Sequence, residues 1–387
     1  MRTYEQKIII DLLKDSVPEV LDVLNIDWSY ILQHCQKHRL LGLLYSAIKD
    51  KPEVPQHILH LLYSEHIVQH SKSKNGQREF LSVLCQLKNN DIDVILLKGV
   101  YLSAKYYRRL SDRYYNDMDI LIKAKDSQRV FDVLNKIGYL QGRYDNIMGE
   151  IIPFNLNRLK GYEQELAHYG EFVRLEKGDF NECFYIDVHH RLSTIFDNFS
   201  FDIDELFDRA VCDNINNVQF YRLDNEDFLL HIISHIYWHT LSIREIITDR
   251  DTRLINYYDI SLFVRQNIID WDVLINRANK YKLINALYYV MYHSQLIYGD
   301  IVPDDIYSKW NESMLKDISN SIFDRWVTRD TLTCVGKWKS DFMERLFDEN
   351  RKHEALLSFY NDYINPILHQ GSYFKVININ DESRFCS

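Results

Sequence analysis

Apolar residues recur at helical spacing through the first 90 positions. The segments IIIDLLKD, SYILQHCQKH and LLGLLYSAIK each place them three or four apart. Pro55 opens a long helix through HILHLLYSEHIVQHSKSKNGQREFLSVLCQLKNN, which Asn89-Asn90 ends. From Asp91 the pattern changes. IDVILLK is a short run of Val, Ile and Leu, the composition of a buried strand. VYLSAKYYRRL is amphipathic and helical, and DMDILIK reads as a second strand. DSQRVFDVLNKIGY carries a helix signature, with Asp126 as cap and Gly138 at its end. YEQELAHYG, EFVRLEK and CFYIDVHHRL alternate as half-exposed strands do. Helices return at NEDFLLHIISHIYWHTL, with Asn225 as N-cap, and continue through TRLINYYDISLFVRQN and WDVLINRANKYKLINALYYVMYHSQLIYG. The tail from Tyr373 is polar and expected to fray. The order β-α-β-α-β-β-β predicts an α+β fold on one small mixed sheet. That core spans 91–222, between an N-terminal helical region (1–90) and a C-terminal one (223–387).

Composition narrows the classes. A chain of 387 residues exceeds one ordinary core. Only 12 Gly and 6 Pro argue for helices over a loop-rich all-β protein. The net charge of −10 disfavours long nucleic acid as a partner, because phosphate neutralisation needs clustered Lys and Arg. A local cationic patch for a single nucleotide remains compatible. The six cysteines form no C-x-x-C pair and no zinc spacing, the usage of a reduced, cytoplasmic protein. No leader pattern opens the chain, and no apolar run approaches the ~20 residues that span a bilayer. The expectation is a soluble protein without a membrane partner.

The candidate chemistry lies in two aspartates. D-x-D occurs at Asp91/Asp93, Asp117/Asp119 and Asp202/Asp204. The first pair sits at a helix-to-strand turn, where carboxylates are solvated. The last sits in a polar loop or at a helix start, where they favour the dipole. Asp117/Asp119 differs, because a buried ILI run follows it. Residues two apart on a strand share a face, so the carboxylates repel unless a cation compensates. Lys98-Gly99 stands at the end of the preceding strand and opens a helix, an arrangement suited to phosphate. Arg113 adds positive charge four residues before Asp117. Asp187, in CFYIDVHHRL, supplies a third acid from another strand. Two acids on one strand and one on another form the ligand set of a two-metal phosphoryl-transfer site.

L-K-G, a helix, R-x-x-x-D-x-D-I-L-I, a helix ending in G-Y, and I-D-V-H-x-R-L together resemble the uncharacterised nucleotidyltransferase family of bacteria. That family is a distant branch of the DNA-polymerase-β-like nucleotidyltransferase superfamily. The resemblance covers about residues 75 to 300. It implies that Asp117, Asp119 and Asp187 are catalytic and bind Mg²⁺ or Mn²⁺. Asp187 would also serve as base toward the acceptor. It further implies that Lys98, Gly99, Arg113 and His189 lie at the nucleotide, with Arg191 closing the third motif. The activity implied is metal-dependent transfer of NMP from an NTP, ATP by default, to an acceptor hydroxyl or similar group, with release of pyrophosphate. The acceptor would be a small molecule, a sugar or a peptide. A kinase-type phosphotransferase on the same metal site and a non-catalytic nucleotide-binding scaffold are the competing readings.

His231, His235 and His239 recur every four residues and stack along one helix face. His235 and His239 resemble family positions and are expected to face the nucleotide, where imidazole can donate to phosphate. The bland alternative is a set of hydrogen-bonded histidines at a helix interface. Arg253 and Asp259, in TRLINYYDISLFV, read as a buried ion pair or cap. His190 should point away from the face that His189 shares with Asp187. DENRKHEALLSFY reads as a solvated helix face. No nucleophile-elbow, P-loop or dinucleotide-binding motif is present.

Overall fold

The computed structural model describes residues 2–176, 182–194, 197–308, 310, 325–327, 334–338 and 340–359. The polar tail from Tyr373 lies outside them. The chain divides into two compact units. The first comprises residues 1–237 and 253–312, the second 238–252 and 313–387.

The first unit opens with helices α1 (Tyr4–Leu13), α2 (Trp28–Lys37), α3 (Leu41–Ile48) and the long α4 (Gln56–Asn89). These follow the apolar spacing, and α4 begins immediately after Pro55. The sheet then forms from β1 (Ile95–Leu96), β2 (Met118–Leu121), β3 (Leu140–Asp145), β4 (Glu150–Pro153), β5 (His168–Glu176), β6 (Glu182–His189), β7 (Val211–Ile215) and β8 (Val218–Arg222). The strand order is β4-β3-β5-β6-β2-β1-β8-β7. It is mixed: β2 runs parallel to β6 and β1 parallel to β8, and the other neighbours are antiparallel. Interleaved are α5 (Lys98–Lys105), α6 (Ser127–Lys136), α7 (Leu156–Glu165) and α8 (Ile203–Asp208). After them come α9 (Asn225–Leu241), then α10 of the second unit (Ile243–Ile247), and, again in the first unit, α11 (Leu254–Gln266), α12 (Trp271–Lys280) and α13 (Ile284–Tyr298). The fold is α+β, as the periodicity predicts.

The two faces of the central strands divide the labour. Met118 and Ile120 of β2 pair in register with Ile186 and Val188 of β6, and all four are buried. Phe172 of β5 continues this apolar row, and Phe131 of α6 covers it with ring centroids 5.2 Å apart. Each such buried side chain contributes about 1.5–3 kcal/mol. That stabilisation lets the opposite face carry acids.

Several local expectations are corrected. YEQELAHYG is not a strand: α7 runs through its first half and β5 begins only at His168. Asn155 starts that helix by accepting the N–H of Arg158 at 2.9 Å, and this cap overrides the alternating pattern. The cap of α9 is Asp224, whose Oδ1 accepts the N–H of Asp227, while the Asn225 side chain accepts from Arg222. Asp126 precedes α6, yet its carboxylate binds Arg129 and caps no backbone N–H. Gly138 does end that region, with φ at +95°. The structure adds a hairpin, β7–β8, to the predicted strands. Its turn is Asn216-Asn217, both with positive φ, as a tight two-residue hairpin demands.

In the second unit, Arg325–Val327 and Cys334–Lys337 pair antiparallel. A capping box of Asp341 and Glu344 starts the helix Phe342–Phe347. The last described helix, Arg351–Phe359, does not present a purely solvated face. Arg351 is 1% exposed and donates to Asp251 at 2.7 Å. Among the described residues, no helix is long and apolar enough to cross a membrane, and Cys35, Cys85, Cys183 and Cys212 are free thiols.

Candidate active site

The parallel pairing of β2 with β6 builds the site. Asp119 stands in register with Asp187, and Leu121 with His189. Residues in register on neighbouring strands share a face, so the two acids lie side by side. The antiparallel β5 extends the row, with Glu171 opposite Asp187 and His168 opposite His189. Three carboxylates from three strands therefore line one face of the sheet. Asp117 precedes β2 by one residue and is half-buried.

His189 Nε2 lies 3.0 Å from Asp119 Oδ1. Asp119, Asp187 and His189 each offer one ligand atom, and these atoms lie within 4.8 Å of one another. Asp117 is expected in that set, but the converging trio holds His189 in its place. Asp117 acts on the trio through its charge. His190 points away, as expected, and packs on Tyr169 with ring centroids 4.4 Å apart.

The electrostatics follow from crowding acids in a sparsely solvated place. Burial, then the charges of Asp117, Asp119 and Glu171, push the Asp187 carboxyl well above the usual range. Burial and the charge of Asp119 also raise Asp117. Burial pushes Glu171 up to about 6, against the pull of Arg158. Asp119 goes the other way. Burial opposes its ionisation, but the Lys98 charge and the His189 hydrogen bond hold its carboxyl below the ordinary range. One acid stays ionised and its neighbours resist ionising, which is the condition a cation relieves.

Lys98 is the first residue of α5, at the positive end of that helix. It has no direct ion pair or hydrogen bond among the described residues, yet Asp117, Asp119 and Asp187 all feel its charge. Leu97, just before it, donates its N–H to the Asp119 carbonyl at 3.0 Å, which ties the turn to β2. Gly99 is buried. A Cβ there would meet Tyr115 Cβ at 3.4 Å and the Asp117 carbonyl at 3.7 Å, ordinary contacts. The protein's own packing therefore does not demand glycine at this position.

Arg113 is placed differently from the expected nucleotide contact. Its Nε and Nη2 grip the Asp259 carboxylate at 2.9–3.1 Å, and its Nη1 donates to the Tyr114 carbonyl. Tyr107 donates to the same carboxylate at 2.6 Å. Asp259 of α11 is thus the partner of Arg113, and Arg253 occupies the N-cap position of that helix. This buried clamp anchors the segment that leads into Asp117. His239 pairs with Glu245 at 3.2 Å, and both residues belong to the second unit. His235 is half-buried on α9. His231, two turns from the start of α9, is 5% exposed and feels the charges of Lys98, His189 and Asp119.

Two residues gain roles the sequence did not disclose. Arg191 donates to the carbonyls of Glu163, Gln164 and Leu166 and so caps the end of α7. Glu171 joins the acid row only through strand register. The sole sequence clue was its place in an alternating segment.

The trio fits a divalent cation on the structure's own terms. Asp187 Oδ1 is buried with no hydrogen-bond partner among the described residues, and two carboxylates plus an imidazole suit such an ion.

Among solved structures, a similar one is that of an antigenic nucleotidyltransferase-like protein from Paracoccidioides brasiliensis. The two are 14% identical at a TM-score of 0.31, with 55% of this chain and 91% of that chain covered. No curated protein matches the sequence. A family model described as uncharacterised nucleotidyltransferase matches residues 25–299, which include the three strands of the acid row and α9. The chain belongs to this uncharacterised nucleotidyltransferase family.

Proposed function

We propose that the protein transfers a nucleoside monophosphate from an NTP, ATP by default, to the hydroxyl or similar group of a small-molecule, sugar or peptide acceptor. The convergence of Asp119, Asp187 and His189 beside Lys98, in a chain of this family, carries the reading. In the reaction, the acceptor oxygen bonds to the α-phosphorus and its proton passes to a carboxylate. The bond from the α-phosphorus to the bridging oxygen breaks, and pyrophosphate leaves. Asp187 is the residue we assign to the proton, because its Oδ1 has no hydrogen-bond partner among the described residues and it stands in register beside Asp119.

Asp119, Asp187 and His189 would hold a divalent cation, Mg²⁺ or Mn²⁺, with Asp117 adding charge beside them. When bound, that ion supplies charge neutralisation at the triphosphate and polarises the acceptor oxygen. Lys98 and the start of α5 orient the phosphates. The Arg113–Asp259 clamp holds the Asp117 segment in place. Gly99 and His235 belong to the proposal as flanking positions of the nucleotide cleft. Catalysis of this kind is mainly positioning and electrostatics.

Labelled NTPs test it. With Mg²⁺ and a mixture of candidate acceptors, label at the α-phosphate should enter a product while pyrophosphate accumulates. Transfer of label from the γ-phosphate with NDP release would replace this reading with a kinase. Binding without transfer of either label would support a scaffold.

A further inference from the structure

His231, on α9, is electrostatically coupled to the acid site, with Asp119, Lys98 and His189 acting on it. Its side chain is more than nine-tenths buried, and neither ring nitrogen has a hydrogen-bond partner among the described residues. A buried polar group without a partner costs about 1–3 kcal/mol. Ser234 bonds the His231 carbonyl, which leaves the ring uncommitted. The charged and titratable groups around the ring are Lys98, His189 and Asp119. Burial and the Lys98 and His189 charges push it down to about 3, so the ring is neutral and carries one N–H donor.

The ligand this ring awaits follows from its place. The atoms that converge for a cation belong to Asp119, Asp187 and His189, and His231 is not in that set. Lys98, whose charge the ring feels, likewise has no direct partner among the described residues and sits at the start of α5. A buried imidazole and the Lys98 ammonium at the start of α5, neither with a partner among the described residues, both act electrostatically on Asp119. Such a donor set suits phosphate oxygens.

We propose that His231 is a nucleotide-binding residue that donates an imidazole N–H to the triphosphate, beside Lys98. This inference rests on the reading that the site takes an NTP. The probe is inorganic tripolyphosphate with Mg²⁺, which leaves the unknown base out, and titration calorimetry reads the affinity. Loss of one hydrogen bond to a charged group is worth about tenfold or more in affinity. His231→Phe and His231→Leu should each weaken tripolyphosphate by about that factor. Binding of Mn²⁺ alone should be unchanged. His231→Asn or His231→Gln, each of which keeps one amide donor, should recover part of the loss. In wild-type protein labelled with ¹⁵N-histidine, tripolyphosphate with Mg²⁺ should shift a ring resonance that His231→Asn removes. A core histidine would show neither the rescue nor the shift. Unchanged affinity in both apolar variants, or a silent His231 resonance while the wild type binds, overturns the inference and leaves the NTP reading standing. A wild type that binds neither tripolyphosphate nor any NTP overturns both.

Discussion

Glu171 faces Asp187 across the β5–β6 ladder, with Asp117 also acting on it and Arg158 opposing them. Its folded-state value is raised from the ordinary 4.5 to about 6. A raised acid favours the protonated native state. Its stabilisation is complete below about 4.5 and is lost as pH rises through about 6. In metal-free protein at pH 8, Glu171 therefore costs about 2 kcal/mol. Glu171→Gln should be more stable than wild type at pH 8 by about 1–2 kcal/mol, with the advantage gone near pH 4.5. Urea unfolding with a chelator present, at both pH values, checks this. Comparing the two proteins at each pH removes the opposite contributions of His190 and His231, whose values are depressed to about 4 and about 3. Equal stabilities at pH 8 would mean that Glu171 is relieved by water or by Arg158 and lies outside the acid row.

At the scale of elements, two arginines fasten the site. Arg113 and Asp259 are both buried and join the segment before β2 to α11. Removing one partner leaves the other charge stranded, at a cost of about 3–5 kcal/mol. Arg113→Ala should lose that much in denaturant unfolding. Arg113→Met combined with Asp259→Leu should lose clearly less. If the single and double changes cost the same, the pair is not coupled. Arg191 holds only the end of α7. Arg191→Ala should speed amide hydrogen exchange across Leu156–Glu165 by about tenfold and leave the exchange of β2 unaltered, consistent with the ~1.5–3 kcal/mol of hydrogen bonds from a charged donor.

These elements also mark how far the sequence can be read. The helices of the first 90 residues, the buried run at Ile95–Leu96 and the acids of DMDILIK follow from period and composition, because burial on one face dictates them. The pairing of β2 with β6 does not. It joins positions 68 residues apart, and nothing local to either strand states the register that sets Asp119 beside Asp187. Glu171 was illegible for the same reason: it matters only through what the fold brings against it. His231 was legible as one of three histidines on a helix face, but its burial beneath that face was not. Arg113 was legible as a cation and misplaced as to partner, since Asp259 lies 146 residues away. The β7–β8 hairpin is a different case. Its Asn216-Asn217 turn is written plainly in the sequence, between alternating residues.

For the molecule as a whole, the net charge of −10 argues against long nucleic acid as a partner, and among the described residues one acid row offers a cation site. The central claim is that the row binds a metal-nucleotide complex. The most direct measurement is thermal unfolding of the wild type and Asp187→Asn with each of the four NTPs, with and without Mg²⁺. A ligand at about 100 times its Kd adds about 2.7 kcal/mol, or roughly 3–6 °C in a chain of this size. The account predicts that shift for at least one NTP, only with Mg²⁺, and only in the wild type. Unliganded Asp187→Asn should melt at the same temperature or higher, because its repulsion with Asp117, Asp119 and Glu171 is gone. A wild type that no NTP stabilises with Mg²⁺, or an Asp187→Asn protein that keeps the full shift, would contradict it.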